Sequence, residues 1–163
     1  MHFSLVDRVL EHAPGRIVTM KHVSAAEEYL QDHFPSFPVL PGVMMLECMV
    51  QAGRLLAQRE SADALADADG RWVLGKVRAL KYGRFVKPGS TLRVEVSIAK
   101  PTDDGTWDLK GEAILLDPAS PDPDPAARPV AVSGRFTLRR LRIAPPPTLP
   151  APLQPQETPH LTS

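Results

Sequence analysis

A histidine and a glutamate lie in settings where an ionisable side chain is unusual. His33 opens a proline-rich loop, and Glu47 interrupts the apolar run Val43–Val50. A carboxylate is rarely buried without a partner, because removing its charge from water is costly. Gln51 lies one helical turn beyond Glu47, where it can form a hydrogen bond with it. An imidazole and a carboxyl group together can supply a general base and a general acid.

Each of these two residues alone also has an ordinary structural interpretation. His33 could be a loop histidine that binds backbone groups, and Glu47 could reach solvent where its helix crosses a neighbour. The loop that links them makes both interpretations less favourable. It reads HFPSFPVLPG and has three prolines within residues 35–41. Proline fixes its own backbone angle and disfavours helix in the residue before it, so we predict an extended, rigid loop.

A long helix is predicted directly after Gly42. Residues 43–60, VMMLECMVQAGRLLAQRE, are mostly good helix formers and would span about 27 Å. The first two turns are apolar on every side except at Glu47. A helix that is hydrophobic all round is buried, so we predict that this helix is central to the fold.

Three shorter elements are predicted before the loop. Phe3–Leu10 has an apolar spacing that is compatible with a short amphipathic helix, and a Pro-Gly pair then marks a turn. Arg16–Val23 is rich in β-branched residues, which predicts a strand. Ser24, with Glu27 three residues on, resembles a capping box and predicts a helical turn over Ala25–Gln31.

After the central helix the pattern changes to strands. Strands are predicted at Arg71–Phe85, Thr91–Lys100, Thr106–Leu116 and Val130–Leu141. One strand, one buried helix and then a run of mainly antiparallel strands predict an α+β fold. In this fold a curved antiparallel sheet wraps around one long central helix.

Three segments lack such a pattern. Ser61–Gly70 and Asp117–Arg128 are acidic and are predicted to be surface loops. Ala144–Ser163 is rich in proline with almost no apolar periodicity, so it is predicted to be a disordered tail. We therefore divide the chain into one domain, residues 1–142, and a tail, residues 143–163.

The composition argues against several classes of protein. The 163 residues carry 19 basic and 19 acidic side chains, and zero net charge disfavours a general nucleic-acid binder. No apolar stretch reaches the roughly 18 residues of a membrane helix. The N-terminal segment lacks a secretory-signal pattern, so we expect a cytoplasmic protein without membrane contact. The single cysteine, Cys48, and histidines without paired ligand spacing argue against a disulfide and a metal site.

A locally basic segment begins in the first strand after the helix. It could be an ordinary solvated face, or it could be a docking surface for an acidic partner. Its residues are Lys76, Arg78, Lys81, Arg84 and Lys87.

The loop and the helix share a pattern of residue types at fixed offsets. The pattern consists of HFP at 33–35, PVLPGV at 38–43, LE at 46–47 and QAG at 51–53. It resembles the signature of β-hydroxyacyl-[acyl carrier protein] dehydratases of the FabZ type. LVDRVL at 5–10 and FVKPG at 85–89 are also similar to that family. The resemblance extends over about Phe3 to Leu141, apart from the two acidic loops.

The resemblance implies the hot-dog fold and a chemistry. The enzyme would convert a (3R)-hydroxyacyl thioester on acyl carrier protein to the trans-2-enoyl thioester, with His33 and Glu47 as the catalytic pair. Neutral His33 suits removal of the α-proton, because imidazole titrates near neutral pH. Glu47, if apolar burial keeps it protonated, could give its proton to the departing hydroxyl. The sequence leaves open which of the two acts as the base.

The resemblance also implies how the substrate is held. The amides of Gly42 and Val43 open the helix, where free N–H groups can stabilise the thioester oxygen, and Gln51 would support Glu47. The substrate would arrive on the phosphopantetheine arm of acyl carrier protein, docked on the basic segment, and no cofactor or metal would be required. In the family the histidine and glutamate meet across a two-fold axis, which implies a homodimer. Larger assemblies such as a trimer of dimers also occur there.

Two residues depart from the family pattern. Ser36 and Asp32 stand where the family usually has glycine. Ser36 could change the angle of the loop, and Asp32 could pair with His33. These departures motivate two alternatives, namely a hot-dog protein without catalysis that binds an acyl carrier or is structural, and an acyl thioesterase. Isomerisation is disfavoured, because the dehydratases that also isomerise carry aspartate where this chain has Glu47.

Overall fold

One helix of 19 residues and a six-stranded sheet dominate the fold. The computed structural model describes residues 3–61, 72–100, 105–116 and 129–141. The helix α1 spans Gly42–Glu60. The strands are β1 Arg8–Ala13, β2 Arg16–His22, β3 Trp72–Tyr82, β4 Thr91–Lys100, β5 Thr106–Leu116 and β6 Val130–Arg140. All five predicted strands are thus present, and β4 and β5 have the predicted bounds.

The strands lie in the order β1-β2-β4-β5-β6-β3, and all neighbours are antiparallel. The register shifts at extra residues in β1, β3, β4 and β6. Such bulges bend a strand and increase its twist, so the sheet curves. The helix packs against this sheet from β2 to β3. The arrangement is the predicted one, a curved sheet around one helix.

Two glycines allow the close approach of helix and sheet. A Cβ atom on Gly53 would lie 2.8 Å from Leu109 Cδ1, and one on Gly111 would lie 2.6 Å from Met49 Sδ. The helix has a sheet face and an outer face, and Val43 on the outer face is 69% exposed. The prediction that the first two turns are buried on every side is therefore wrong, because α1 is covered by the sheet on one side only.

The N-terminal segment also differs from its prediction. A helix over Phe3–Leu10 is not formed, because Arg8–Ala13 is the edge strand β1. Gly15, with φ of 72°, closes a tight turn, and the chain returns as β2. Glycine adopts this left-handed conformation without a steric penalty. The Pro-Gly turn thus makes a hairpin of the two segments beside it.

The predicted helical turn is shorter than expected. Ser24 Oγ accepts a hydrogen bond from Ala26 N at 3.1 Å, and a single 3₁₀ turn follows at Glu28–Leu30. Burial raises the pKa of Glu27, but hydrogen bonds from Lys21 and other groups, including the Ser24 backbone, outweigh burial and lower it. The predicted capping box is therefore formed only in part, because Glu27 N donates to the Ser24 backbone oxygen at 3.2 Å and not to the Ser24 hydroxyl.

Lys21 fastens two segments to β2. Its side chain is 8% exposed, and Nζ lies 2.7 Å from Glu27 Oε1 and 3.5 Å from Asp7 Oδ1. The other Asp7 oxygen accepts a hydrogen bond from His22 N at 2.6 Å. Burial alone would lower the pKa of Lys21, but the two carboxylates outweigh it and raise the pKa. Lys21 therefore holds in place both the segment before β1 and the turn that leads to His33.

The loop between that turn and α1 is extended only in part. Phe34 and Phe37 exchange backbone hydrogen bonds of 3.2 and 3.0 Å, which forms a tight turn with Ser36 inside it. The prediction of an extended loop is wrong for this first half. Farther on, Leu40 N donates to Val86 O at 2.8 Å, which fixes the loop to the connection between β3 and β4.

Four charged side chains form a network across β1, β2 and β4. Arg16 binds both oxygens of Glu95 and one oxygen of Glu11, each at 2.8 Å. Arg93 bridges the same carboxylates at 3.1 and 3.2 Å. Hydrogen bonds from Arg16 and Arg93 lower the pKa of Glu95 to about 2. The network ties the edge strand to the interior of the sheet.

Some predictions lie outside the described ranges. They are the loop Ser61–Gly70 beyond its first residue, the loop Asp117–Arg128, and the tail 143–163. Their structure, and the division of the chain after residue 142, stay predictions. Among the helices in the described ranges, none is long and apolar enough to span a bilayer.

Candidate active site

His33 is fixed to Val39 by two hydrogen bonds. Val39 N donates to the His33 carbonyl at 2.9 Å, and the ring Nδ1 lies 2.9 Å from Val39 O. A carbonyl oxygen only accepts, so we assign the proton to Nδ1, which donates it. In the neutral ring Nε2 then carries a free lone pair, as a general base requires. The ring binds Val39 and not Asp32, so the expected pairing of Asp32 with His33 is not formed.

Glu47 does not have the apolar surroundings that the sequence predicts. Its side chain is 30% exposed. Its Oε1 accepts hydrogen bonds from Gln51 Nε2 and from Arg54 Nη1, both at 3.2 Å. The Gln51 contact agrees with its prediction. Arg54 was missed, although two helical turns place it on the same face as Glu47 and a guanidinium is a typical partner of a carboxylate.

Gln51 connects the carboxyl group to the beginning of the described chain. Its Oε1 accepts a hydrogen bond from Leu5 N at 2.7 Å, and its Nε2 donates to Phe3 O at 3.1 Å. Leu5 itself is buried in the core. These contacts fix the Gln51 amide, which in turn fixes one oxygen of Glu47. The sequence predicts the contact of Gln51 with Glu47 but not its contacts with Phe3 and Leu5.

The amides of Gly42 and Val43 stand at the tip of α1. The hydrogen bonds of the helix begin with Met44 N and Met45 N, which both donate to Pro41 O at 2.9 and 3.2 Å. The first N–H groups of a helix have no partner within it and can bind an anion. The helix therefore offers the amide tip that the sequence predicts.

Tyr82 supplies a reason for Gly42 that the sequence does not reveal. A Cβ atom on Gly42 would lie 2.9 Å from ring carbons of Tyr82, at the end of β3. Glycine at the tip of α1 therefore makes room for this aromatic ring. The ring, which is partly exposed, becomes a further candidate for the wall of the site.

His33 and Glu47 have no hydrogen-bond partner in common within the described residues. The ring of His33 forms its hydrogen bond and its stacking contact within its own loop, and Glu47 forms its hydrogen bonds with side chains of its own helix. No hydrogen bond joins the two side chains in this part of the chain. Within one chain, separate sets of hydrogen bonds thus hold the two side chains.

The basic residues predicted as a docking surface differ from one another. Arg78 forms an ion pair with Asp108 at 2.7 Å. Lys87 Nζ lies 5.0 Å from the centre of the Phe37 ring, and Phe37 packs edge to face against Phe85. The remaining basic members are all exposed: Lys76, Lys81 and Arg84. The aromatic pair was missed, because Phe37 and Phe85 are far apart in sequence and meet only in the fold.

Cys48 is fully buried beside Glu47. Burial raises the pKa of its thiol to about 12, so the reactive thiolate is scarce at neutral pH. Cys48 therefore serves as a small buried hydrophobic residue. The described residues contain no group of three or more His, Cys, Asp or Glu side chains that could hold a metal ion.

Comparison with known proteins identifies the family of this chain. Residues 1–116 match the model of the FabA-like domain. The chain belongs to this family. Within the family it is of the FabZ type, because it is 39% identical over 114 residues to 3-hydroxyacyl-[acyl-carrier-protein] dehydratase FabZ of Geobacter metallireducens. The match covers 69% of this chain and 74% of that protein.

A second relative and a solved structure agree with this membership. The FabZ protein of Chloroflexus aggregans is 42% identical over 100 residues, which are 60% of this chain and 66% of that protein. A chain of the dehydratase heterocomplex ApeI:P from Xenorhabdus doucetiae superimposes with a TM-score of 0.57 at 17% identity. The superposition covers 85% of this chain and 100% of that chain. At this identity the likeness shows the hot-dog fold alone, and the predicted fold is confirmed.

Proposed function

We propose that this FabZ-type enzyme dehydrates (3R)-hydroxyacyl thioesters on acyl carrier protein to trans-2-enoyl thioesters, with His33 and Glu47 as catalytic residues. The observation that carries the assignment of roles is the hydrogen bond of His33 Nδ1 to Val39 O at 2.9 Å. It favours the tautomer with an unprotonated Nε2, which suits a base. The activity itself agrees with that of the FabZ relatives, which are 3-hydroxyacyl-[acyl-carrier-protein] dehydratases.

The elimination balances with these two groups. Nε2 of His33 takes the proton from C2 of the acyl chain, and the electron pair of that C–H bond forms the double bond between C2 and C3. The C3–O bond breaks, and protonated Glu47 gives its proton to the departing hydroxide, so that water leaves. We propose that a second copy of the chain covers Glu47 and so favours its protonated form, because within one chain the side chain is 30% exposed and paired with Arg54. Carbon is neither oxidised nor reduced overall, so we propose a reaction without a redox cofactor. His33 and Glu47 supply the base and the acid, so we propose that no metal is required.

The tip of α1 is proposed to stabilise the charge that develops on the thioester oxygen. The amides of Gly42 and Val43 are the donors, and the helix dipole has the favourable sign. The exposed position of Val43 supports access by a substrate. Donors that are fixed before the reaction need no reorganisation during it, which is why such sites are effective.

A homodimer is proposed as the working unit, with His33 of one copy and Glu47 of the other at each site. The separate sets of hydrogen bonds that hold the two side chains within one chain are consistent with this arrangement. Strand β3 has a neighbour on one side only among the described strands. An open strand edge invites pairing with a second copy. Dimers would also be able to assemble further, into a trimer of dimers.

The acyl carrier protein is proposed to dock on the exposed basic residues near β3, in the cytoplasm. Lys81 and Arg84 are exposed at the end of β3 and just beyond it. They flank Tyr82 in sequence, and the ring of Tyr82 lies beside Gly42 at the tip of α1. A pull-down with acyl carrier protein tests this surface. Charge reversal at Lys81 and Arg84 should abolish capture, and unchanged capture would refute the surface.

One assay tests the proposed reaction against the alternatives. Purified protein is incubated with a 3-hydroxyacyl thioester, and enoyl absorbance and free thiol are followed together. Enoyl product supports the dehydratase. Free thiol would indicate a thioesterase, and neither product would indicate a binding or structural role.

Variants test the two roles. His33→Ala and Glu47→Gln should each lower kcat at least about a hundredfold, which is the usual contribution of a positioned acid or base. His22→Ala and Glu28→Gln are matched controls, because both residues are exposed, and they should leave kcat unchanged. Full activity in either variant of the pair would disprove its assigned role.

A further inference from the structure

The outer face of α1 carries a polar stripe that begins at Glu47. Glu47, Gln51 and Arg54 are separated by four and three residues, so they lie along one face of the helix. Arg54 Nη1 lies 3.2 Å from Glu47 Oε1, the same oxygen that receives Gln51 Nε2. Two donors therefore converge on one oxygen of the carboxyl group.

Stability is a weak explanation for the Arg54 contact. The side chains of Arg54 and Glu47 are 35% and 30% exposed, and ion pairs with that exposure add little to folding. The Arg54 Nε atom is buried without a hydrogen-bond partner in the described part of the chain. A buried donor without a partner is unfavourable. The guanidinium thus keeps its position at Glu47 although one of its own donors is unsatisfied.

The geometry assigns a function to this position. With Gln51 and Arg54 both donating to Oε1, a proton on Glu47 resides on Oε2, the oxygen that neither of them occupies. When that proton passes to the leaving hydroxide, the guanidinium charge stabilises the carboxylate that remains. We infer that Arg54 is a positioning residue for Glu47, which fixes the oxygen that carries the proton. The inference rests on the proposed function of Glu47 as the acid.

The test compares variants of the full chain in the dehydration assay. Arg54→Met keeps the length of the side chain and removes the charge, and should lower kcat roughly ten- to hundredfold, as expected for a misplaced catalytic group. KM should change less than about threefold, because Arg54 is not proposed to bind substrate. Arg54→Lys should recover part of the lost kcat, since it restores the charge without the planar fork.

A chemical rescue separates positioning from packing. Guanidinium ion, added to Arg54→Ala, should restore part of kcat, whereas sodium at the same ionic strength should not. Arg59→Met is the matched control, because Arg59 is an exposed arginine near the end of the same helix. It should have the wild-type kcat and no response to guanidinium. Thermal unfolding should have nearly the same midpoint in all these variants.

The outcomes distinguish this inference from the proposed function. A wild-type protein without enoyl product would overturn the proposed function, and the role of Arg54 with it. An active wild type with full kcat in Arg54→Met would overturn the role of Arg54 alone. A loss of kcat that neither Arg54→Lys nor guanidinium relieves would also overturn it, because the loss would then come from packing.

Discussion

Replacement of Lys21 by methionine should destabilise the fold at the point where it holds the loop of His33. Methionine keeps most of the apolar stem and removes the ammonium group. The change removes the Lys21 ammonium from Glu27, which it contacts at 2.7 Å, and from Asp7, which it contacts at 3.5 Å. Asp7 retains the hydrogen bond from His22 N, so Glu27 accounts for most of the loss.

The magnitude follows from the type and burial of these contacts. A hydrogen bond between charged groups contributes about 1.5–3 kcal/mol, and the longer Asp7 contact adds less. We expect a loss of about 2–3 kcal/mol in the free energy of unfolding. For a chain of 163 residues each kcal/mol lowers the unfolding midpoint by about 2–4 °C. The midpoint should therefore fall by about 5–10 °C.

Calorimetry or denaturant unfolding of a double-mutant cycle measures this energy. The cycle contains Lys21→Met, Glu27→Gln and the double variant, and their non-additivity should be at least about 1 kcal/mol. Lys110→Met is the control, because Lys110 is exposed on β5, and it should stay within about 0.5 kcal/mol of wild type. A Lys21→Met midpoint equal to that of wild type, or a fully additive cycle, would refute the reasoning.

Three other outcomes are expected. Cys48, whose pKa burial raises to about 12, should resist iodoacetamide at neutral pH and react only on unfolding; rapid labelling of the native protein, followed by mass spectrometry, would contradict its burial. The pKa of Glu95 is lowered from 4.5 to about 2 by Arg16 and Arg93, so the stability from this group is present above pH 4.5 and is lost as the pH falls toward 2. Unfolding midpoints from pH 6 to pH 2 should thus fall less in Glu95→Gln than in wild type, and equal slopes would count against the network. Gly53→Ala should cost about 1 kcal/mol or more, because its Cβ would collide with the buried side chains of Leu109 and Phe136; an unchanged midpoint in thermal unfolding would contradict this close packing.

Most of the elements could be predicted because local chemistry decides them. The bounds of α1 follow from a proline-rich loop before it and a run of helix formers within it, and turn residues delimit β4 and β5. The prediction of a helix over Phe3–Leu10 was wrong, because the apolar spacing of this segment fits a helix as well as a strand. The Pro-Gly turn after it favours the strand, since it folds the chain back so that β1 pairs with β2.

The candidate site was predictable only where its contacts are local. Gln51 reaches Glu47 across one helical turn, and this contact could be predicted from spacing. Lys21 and Tyr82 contact the site's supports across many residues of sequence. Such contacts depend on strand register and on which side of the helix faces the sheet. Neither can be read from the residues that take part.

The contacts of Gln51 give the N-terminal segment around Phe3 and Leu5 an unusual importance. The backbones of Phe3 and Leu5 meet the same amide that steadies Glu47. An affinity handle fused just ahead of Phe3, or a protease cut there, would disturb a neighbour of the carboxyl group rather than a dispensable margin.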